Sequence, residues 1–359
     1  MGAGTRHQGA GILKPHQKGS GIGFPLIHNI SNLSMAQTKQ RKTQRKAPRK
    51  TPQKTQRRKS RQSSRTATRH QSLAKRWRRA SLWQRIKIVL ITVVALVCTV
   101  ALVTGTIWFV EWRHSVQAAE ARQLQLAQDY GFNPGNIISD GQFFNGNAMS
   151  ESEVQSFLDE QGAACTDASC LKSKTFDTTD QPADAYCNAY EGKKGERAAA
   201  IIVKSARACG ISPKVLLTVM QKEQHLVTAT NVTDFQYQAA MGLSCPDSAN
   251  CDPKYAGFFR QVYGAAQRYQ YYVAHESQYG YQAKTLNYVQ YHPNAACGGT
   301  EVYIENKATA LLYIYTPYQP NTAALAAGNG EGDSCSSYGN RNFSLIYTSW
   351  FGTARSSSS

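Results

Sequence analysis

The sequence predicts a mainly α, disulfide-bonded domain outside a membrane, attached to one transmembrane helix and a disordered basic tail. Three observations support this. The tail, residues 1–87, holds 23 of the 41 Lys and Arg and none of the 23 Asp and Glu, which leaves 18 basic and 23 acidic residues in 88–359. Residues 88–110 carry no charge. Eight of nine cysteines follow them. The rest of the chain is long enough for one sizeable domain.

The tail is predicted to be disordered. Residues 35–79 are mostly Lys, Arg, Gln, Ser and Thr, and such a segment cannot bury enough apolar surface to offset its ordering entropy. Met35 offers an alternative start, which would exclude the Gly-rich residues 1–34. The charge suits anionic lipid or nucleic acid as a partner. The favoured alternative is a topology determinant and solvated linker, because the tail is poor in aromatic side chains.

Residues 88–110 form the predicted transmembrane helix. They span 23 residues, or about 34 Å of helix, which is enough to cross a hydrocarbon core of roughly 30 Å. Trp83, Trp108 and Trp112 flank the segment, as interfacial aromatics do. A cleaved signal peptide would have a shorter apolar core near the N-terminus. We therefore expect an uncleaved, single-pass signal-anchor.

The flanking charges predict its orientation. Six Lys and Arg lie within residues 75–87, whereas Glu111 and Arg113 nearly cancel after the span. Because positive charge stays inside, we expect a cytoplasmic N-terminus and an extracytoplasmic C-terminal part, held at the cytoplasmic membrane. Residues 111–128 continue as a predicted helical stalk, and residues 129–359 form the predicted extracytoplasmic domain.

The outer cysteines predict a disulfide framework, since their number is even and the compartment oxidising. No CxxC pair is present, so a zinc site is not expected. Short loops favour Cys245–Cys251 first, and then three further pairings, although other connectivities remain open. Those three are Cys165–Cys170, Cys187–Cys209 and Cys297–Cys335.

Helix signals dominate the outer domain. Ser150 and Glu153 form a capping-box pattern. A helix over 197–209 is predicted to stop at Gly210, and the next begins at Ser212-Pro213, with Ser as cap and Pro at the first helical position. Further helices are expected at 254–276 and 303–316. Strand-type alternation is scarce.

Glu223 is the candidate catalytic residue. The helix that starts at Pro213 places Leu216, Val219, Met220 and Val227 on one apolar stripe, and Glu223 belongs to the same stripe. Desolvation disfavours the charged form of a carboxyl group, and glycosidic cleavage needs a neutral acid that protonates the leaving oxygen. The alternative is a Glu at an exposed helix end, or one paired with Lys222 or His225.

Three segments resemble soluble lytic transglycosylases and goose-type lysozymes. Residues 210–223 (GISPKVLLTVMQKE) are similar to the helix that carries the family's catalytic Glu. Residues 240–243 (AMGL) are similar to the segment that lines the glycan cleft, and residues 310–313 (ALLY) to a later helix whose Tyr faces the acid. Gln224 and Ser244-Cys245 depart from the family pattern. Residues 133–161, 312–321 and 334–343 also resemble a recurrent extracytoplasmic, hemagglutinin-related domain of actinobacteria.

The resemblance implies a lysozyme-like fold, with Glu223 as general acid and base. It implies substrate-binding roles for Gly242, Leu243 and Tyr313, and we add Tyr315 and Tyr318 as candidate cleft residues.

Hydrolysis usually needs a second carboxylate, for which Asp234 is the nearest candidate. Without one, a single acid/base can drive attack by the sugar's own 6-hydroxyl, as in the resembled transglycosylases. Scattered histidines argue against a metal, and no cofactor is expected.

The sequence therefore predicts cleavage of peptidoglycan or another cell-wall glycan by a membrane-anchored, lytic-transglycosylase-like or muramidase-like domain. A non-catalytic wall-binding or adhesin-like module with the same fold is the alternative, and a scaffold whose cytoplasmic arm recruits partners is a third. A cleft around a buried Glu223 would favour the enzyme. An exposed or salt-bridged Glu223 would favour the binder.

Overall fold

The computed structural model describes residues 78, 81–246 and 251–355. Almost all of the predicted disordered tail, and the alternative start at Met35, lie outside the described residues. The chain divides into two units between Gly105 and Thr106. Each unit is considered by itself below.

Helix α1 (Leu82–Tyr130) contains the predicted span. Its 49 residues include the uncharged run, and none of its most apolar window is buried within the protein. Among the described residues it is the one helix long and apolar enough to cross a membrane. Cys98 lies in it and forms no disulfide.

The unit from Thr106 onward is mostly helical with two small antiparallel sheets. Its helices after α1 are α2 (Asp140–Phe143), α3 (Glu151–Gln161), α4 (Ala198–Cys209), α5 (Pro213–Gln224), α6 (Asp234–Gln238), α7 (Phe258–Ala274), α8 (Lys307–Tyr315), α9 (Thr322–Ala326) and α10 (Gly339–Phe351). Its strands are β1 (Thr175–Phe176), β2 (Glu196–Arg197), β3 (Thr285–Gln290) and β4 (Gly299–Ile304). Strand β1 pairs with β2, and β3 with β4.

The central helices begin and end where their capping residues predict. Helix α4 stops at Gly210, which adopts the left-handed conformation (φ 64°). Helix α5 begins with Ser212 as cap and Pro213 in its first turn. The predicted capping box of Ser150 and Glu153 is present at the start of α3. Helix α4 is apolar almost all round and lies in the core, packed against α3, α5 and α7.

The β3–β4 hairpin was not predicted from the sequence, and its second strand takes the first residues of the helix expected over 303–316. The C-terminal part of α1 packs against this hairpin. Gln123 is buried, and its side-chain amide accepts a hydrogen bond from Tyr303 N (2.8 Å) and donates one to Tyr303 O (3.2 Å). A Cβ at Gly135 would lie 2.0 Å from Gln123 Nε2, so only glycine allows this close approach. The predicted stalk is therefore partly docked on the domain.

All eight outer cysteines are paired, and the pairs are those that short loops favour: Cys165–Cys170, Cys187–Cys209, Cys245–Cys251 and Cys297–Cys335.

A buried carboxylate ties the segment around β1 and β2 to α4. Glu196 accepts hydrogen bonds from Tyr190 Oη (2.6 Å), Thr178 Oγ1 (2.7 Å) and Lys204 Nζ (2.6 Å). Burial raises the pKa of Glu196, but these three partners outweigh burial and hold the pKa below its usual value. The network is fully paired, so it acts as a structural anchor.

Candidate functional site

Glu223 lies in the last turn of α5, which ends at Gln224. His225 follows in the left-handed conformation (φ 52°) and terminates the helix. The Glu223 side chain is 12% exposed. The predicted apolar stripe accounts for this, because Leu216, Val219 and Met220 are buried in the core. The carboxyl group thus sits where the apolar face of α5 reaches the edge of the domain.

Lys222 forms an ion pair with Glu223. The distance from Lys222 Nζ to Glu223 Oε1 is 2.6 Å, and the lysine side chain is only 8% exposed. The same ammonium donates to Thr316 Oγ1 (3.2 Å) and lies 5.0 Å from the centre of the Tyr315 ring. The carboxylate is therefore charge-compensated. This is the arrangement that the sequence argument associated with a binding module.

Gly242, in the segment 239–243, packs directly on Glu223. Gly242 has a φ of +68°, and a Cβ on it would lie 2.9 Å from Glu223 Oε2. The side-chain amide of buried Gln261 fixes this segment: it accepts from Met241 N (3.1 Å) and Leu243 N (3.0 Å) and donates to Leu243 O (2.8 Å). Glycine at 242 thus lets the backbone touch the carboxyl group, and Gln261 holds that backbone in place.

Two buried tyrosines complete the surroundings of Glu223. The Tyr315 hydroxyl donates to Met241 O and lies within hydrogen-bonding range of the Glu223 carboxylate. Tyr269 packs against Tyr315, with ring centres 5.6 Å apart, and its buried hydroxyl has no hydrogen-bond partner among the described residues. Burial, followed by the charge of Glu223, raises the pKa of both phenols well above the usual value. Both therefore remain neutral, and Tyr315 uses its hydroxyl proton on Met241 O.

The other predicted cleft residues lie elsewhere. Tyr313 is buried and donates to Pro134 O (2.9 Å). It points away from Tyr315, because positions two apart on a helix lie on nearly opposite sides. Tyr315, rather than Tyr313, is thus the tyrosine beside Glu223. Tyr318 is half-buried, and its backbone carbonyl accepts from Asn340. Leu243 is buried and packs towards Gly264 of α7.

Asp234 is exposed at the start of α6, and no described hydrogen bond or ion pair joins it to Glu223. The arrangement therefore supplies one carboxylate with lysine and tyrosine partners. Tyr269 and Gln261 were not predicted beside Glu223, and Lys222 was considered only as a possible ion-pair partner. The sequence could have indicated Gln261, because it is a polar residue three positions after Phe258 on a helix face that is otherwise apolar.

An open groove of about 380 Å³ lies between α3 and α10 and is lined in part by Phe157 and Trp350. Glu223 does not line it. Cys165, Asp167 and Cys170 converge within 4.8 Å of one another, but the two cysteines are joined in a disulfide and offer no thiolate to a metal.

No curated protein and no solved structure matches the chain. A family model matches residues 136–359, which is more than half of the chain, and its description is "LasA, N-terminal domain". It differs from the lytic transglycosylase and goose-type lysozyme families that the motifs around Glu223 resemble. On this match, the chain belongs to the LasA N-terminal domain family.

Proposed function

We propose that the folded domain acts on cell-wall glycan at the outer face of the cytoplasmic membrane. Membership of the LasA N-terminal domain family supports an extracellular, cell-wall-directed role. The apolar part of α1 supports a membrane anchor, and the basic residues before it support a cytoplasmic N-terminus. In this arrangement the basic tail sets the topology, with anionic lipid as the partner its charge favours.

The finer proposal is glycan cleavage, with Glu223 as general acid and base in a lysozyme-like arrangement of α5, residues 239–243 and α8. The observation that carries it is the position of the Glu223 carboxyl group. It lies 12% exposed against a Gly242 backbone that admits no Cβ, beside two neutral phenols. A neutral donor next to a partly desolvated carboxyl group can stabilise charge that develops during bond cleavage, and the Tyr269 hydroxyl has no described acceptor.

We propose a one-carboxylate route, as in the transglycosylases that the Glu223 segment resembles. The neutral acid gives its proton to the glycosidic oxygen as the C1–O bond breaks. The resulting carboxylate then takes the proton of the same sugar's 6-hydroxyl as O6 bonds to C1. No water is consumed, and the product is a 1,6-anhydro end. This route requires that Lys222 release the carboxyl group; the same ammonium also donates to Thr316 Oγ1 (3.2 Å).

The second candidate is a non-catalytic glycan-binding module. The Lys222–Glu223 ion pair favours it, because a charge-compensated carboxylate accepts hydrogen bonds from sugar hydroxyls but has no proton to give.

Mass spectrometry of purified peptidoglycan incubated with the full chain in detergent separates the candidates. Anhydro-ended fragments indicate the one-carboxylate route, and reducing ends indicate hydrolysis with a second group. Co-sedimentation with intact peptidoglycan without any released fragment indicates the binding module. Neither release nor co-sedimentation would contradict both candidates.

A further inference from the structure

Arg268 is a half-buried cation without a described acidic partner. It lies in α7, one turn after Gly264, where the segment that touches Glu223 meets that helix. Among the described residues, no carboxylate lies within ion-pair distance of its guanidinium. An arginine that is partly withdrawn from water is stabilised by an anion, and its planar fork suits a carboxylate.

Tyrosines hold this guanidinium in place. Its Nη2 donates to Tyr255 Oη (3.1 Å), and its centre lies 5.5 Å from the Tyr255 ring and 6.0 Å from the Tyr271 ring. Tyr272 packs edge-on against Tyr271, with ring centres 6.3 Å apart. A guanidinium fixed by aromatic faces loses less side-chain freedom when it binds a ligand.

Arg268 is continuous with the Glu223 site. A Cβ at Gly264 would lie 2.9 Å from Leu243 Cδ2 and 3.3 Å from Tyr255 Cδ1, so the segment after Gly242 packs beside the tyrosine that Arg268 contacts. Tyr269, which follows Arg268 in the chain, packs against Tyr315, with ring centres 5.6 Å apart. Lys222 and Glu223 form an ion pair, whereas Arg268 forms none among the described residues.

We infer that Arg268, with Tyr255 and Tyr272, forms a subsite for a carboxylate carried by the glycan that occupies the Glu223 site. This inference rests on the proposed function and adds a substrate class, acidic glycans over neutral ones. The carboxylate has two sources in a wall polymer: the lactyl group of an unsubstituted acidic sugar, or the end of a peptide stem.

The test is the affinity of the full chain in detergent for matched tetrasaccharides of alternating N-acetylglucosamine and N-acetylmuramic acid. In the first pair of ligands, one tetrasaccharide carries free lactyl carboxylates and the other carries the same groups as amides. A second pair carries dipeptide stems with free or amidated ends. The Glu223→Gln background prevents turnover. With Arg268 present, we expect the affinity for the acid form of one pair to exceed that for its amide form about tenfold, in line with a charge-assisted hydrogen bond. The pair that shows this preference identifies the source of the carboxylate.

Arg268→Gln should abolish this preference, Arg268→Lys should retain part of it, and Arg260→Gln, an exposed arginine of the same helix, should leave it intact. Equal affinity for acid and amide in both pairs, or a preference that survives Arg268→Gln, overturns the inference. The comparison of acid and amide ligands needs no variant at position 268. It therefore tests the preference for a carboxylate even if Arg268→Gln fails to fold. Measurable but equal binding of acid and amide ligands would contradict the carboxylate subsite and support glycan binding by the domain. No binding of any oligosaccharide would contradict both proposals.

Discussion

The ammonium nitrogen of Lys222 lies 2.6 Å from Oε1 of Glu223, and both side chains are largely buried. Removing one partner of an ion pair that is withdrawn from water leaves an uncompensated charge, which costs more than breaking a surface pair, typically worth about 0–1 kcal/mol.

A double-mutant cycle measures the pair. Lys222→Met, Glu223→Gln and the double variant should show a coupling free energy of unfolding of about 1–3 kcal/mol, since each single variant leaves a half-buried charge uncompensated. Chemical denaturation provides the measurement. A coupling below about 0.5 kcal/mol would place the pair among ordinary surface contacts.

Gly242→Ala should abolish any function that depends on Glu223. The added Cβ would lie 2.9 Å from Glu223 Oε2, in a left-handed backbone conformation (φ +68°). Gly131→Ala is the matched control, because Gly131 has a φ of +70° and no atom within 4 Å of its Cβ position. Backbone strain of about 1–2 kcal/mol is common to both. Glycan binding or release should be lost only in Gly242→Ala, and equal loss in both variants would show that strain alone is responsible.

The Glu196 network should make stability depend on pH in the acid range. Because the pKa of Glu196 is lowered from 4.5, its contribution is present above that value and is lost as the pH falls through the lowered pKa. Glu196→Gln should lower the free energy of unfolding by about 2 kcal/mol at pH 7 and flatten its acid dependence. Thermal unfolding at pH 2–7 tests this, with the exposed Glu160→Gln as control. An unchanged acid profile in Glu196→Gln would contradict the assignment.

The four disulfides should contribute unequally to stability. Cys297–Cys335 spans 38 residues and Cys245–Cys251 spans 6. Loop-closure entropy gives roughly 4 kcal/mol for the first and roughly 2 kcal/mol for the second. Replacing each pair by alanines and comparing the free energies of unfolding checks the order. A larger loss from the shorter loop would show that native packing, rather than loop closure, governs the effect.

Removal of the stalk should destabilise the folded domain. A chain that begins at residue 129 lacks Gln123, which makes two hydrogen bonds to the Tyr303 backbone and fits against Gly135. We expect its free energy of unfolding to be about 1–3 kcal/mol below that of a chain that begins at residue 106, because the partly buried Tyr303 backbone groups lose their partners. Gln123→Ala in the longer chain should reproduce most of the loss. Equal stability of the two chains would contradict docking of the stalk.

Local signals accounted for much of the fold. Gly210 and Ser212-Pro213 marked the helix boundaries around α4 and α5, and Ser150 with Glu153 marked the start of α3, because capping depends on neighbouring residues. The β3–β4 hairpin was missed because its cross-strand pairs join residues up to 19 positions apart, such as Thr285 and Ile304. The docking of Gln123 on Tyr303 is a still longer-range contact.

The candidate site was predictable in part. The apolar stripe on α5 marked Glu223, and the resemblance pointed to Gly242, which the structure places against the carboxyl group. The choice between Tyr313 and Tyr315 depended on the rotation of α8 against the core, which spacing alone does not give. No sequence motif pointed to Arg268. Its importance depends on the tyrosines that surround it in the fold and on the lack of a described acidic partner.

The most direct test of glycan cleavage by Glu223 is release of soluble fragments from purified peptidoglycan by the full chain in detergent. The wild type would be compared with Glu223→Gln and with Asp234→Asn, an acid of the neighbouring helix α6. The account predicts release by the wild type and by Asp234→Asn, and none by Glu223→Gln. Release that persists in Glu223→Gln, or no release by the correctly disulfide-bonded wild type, would contradict it.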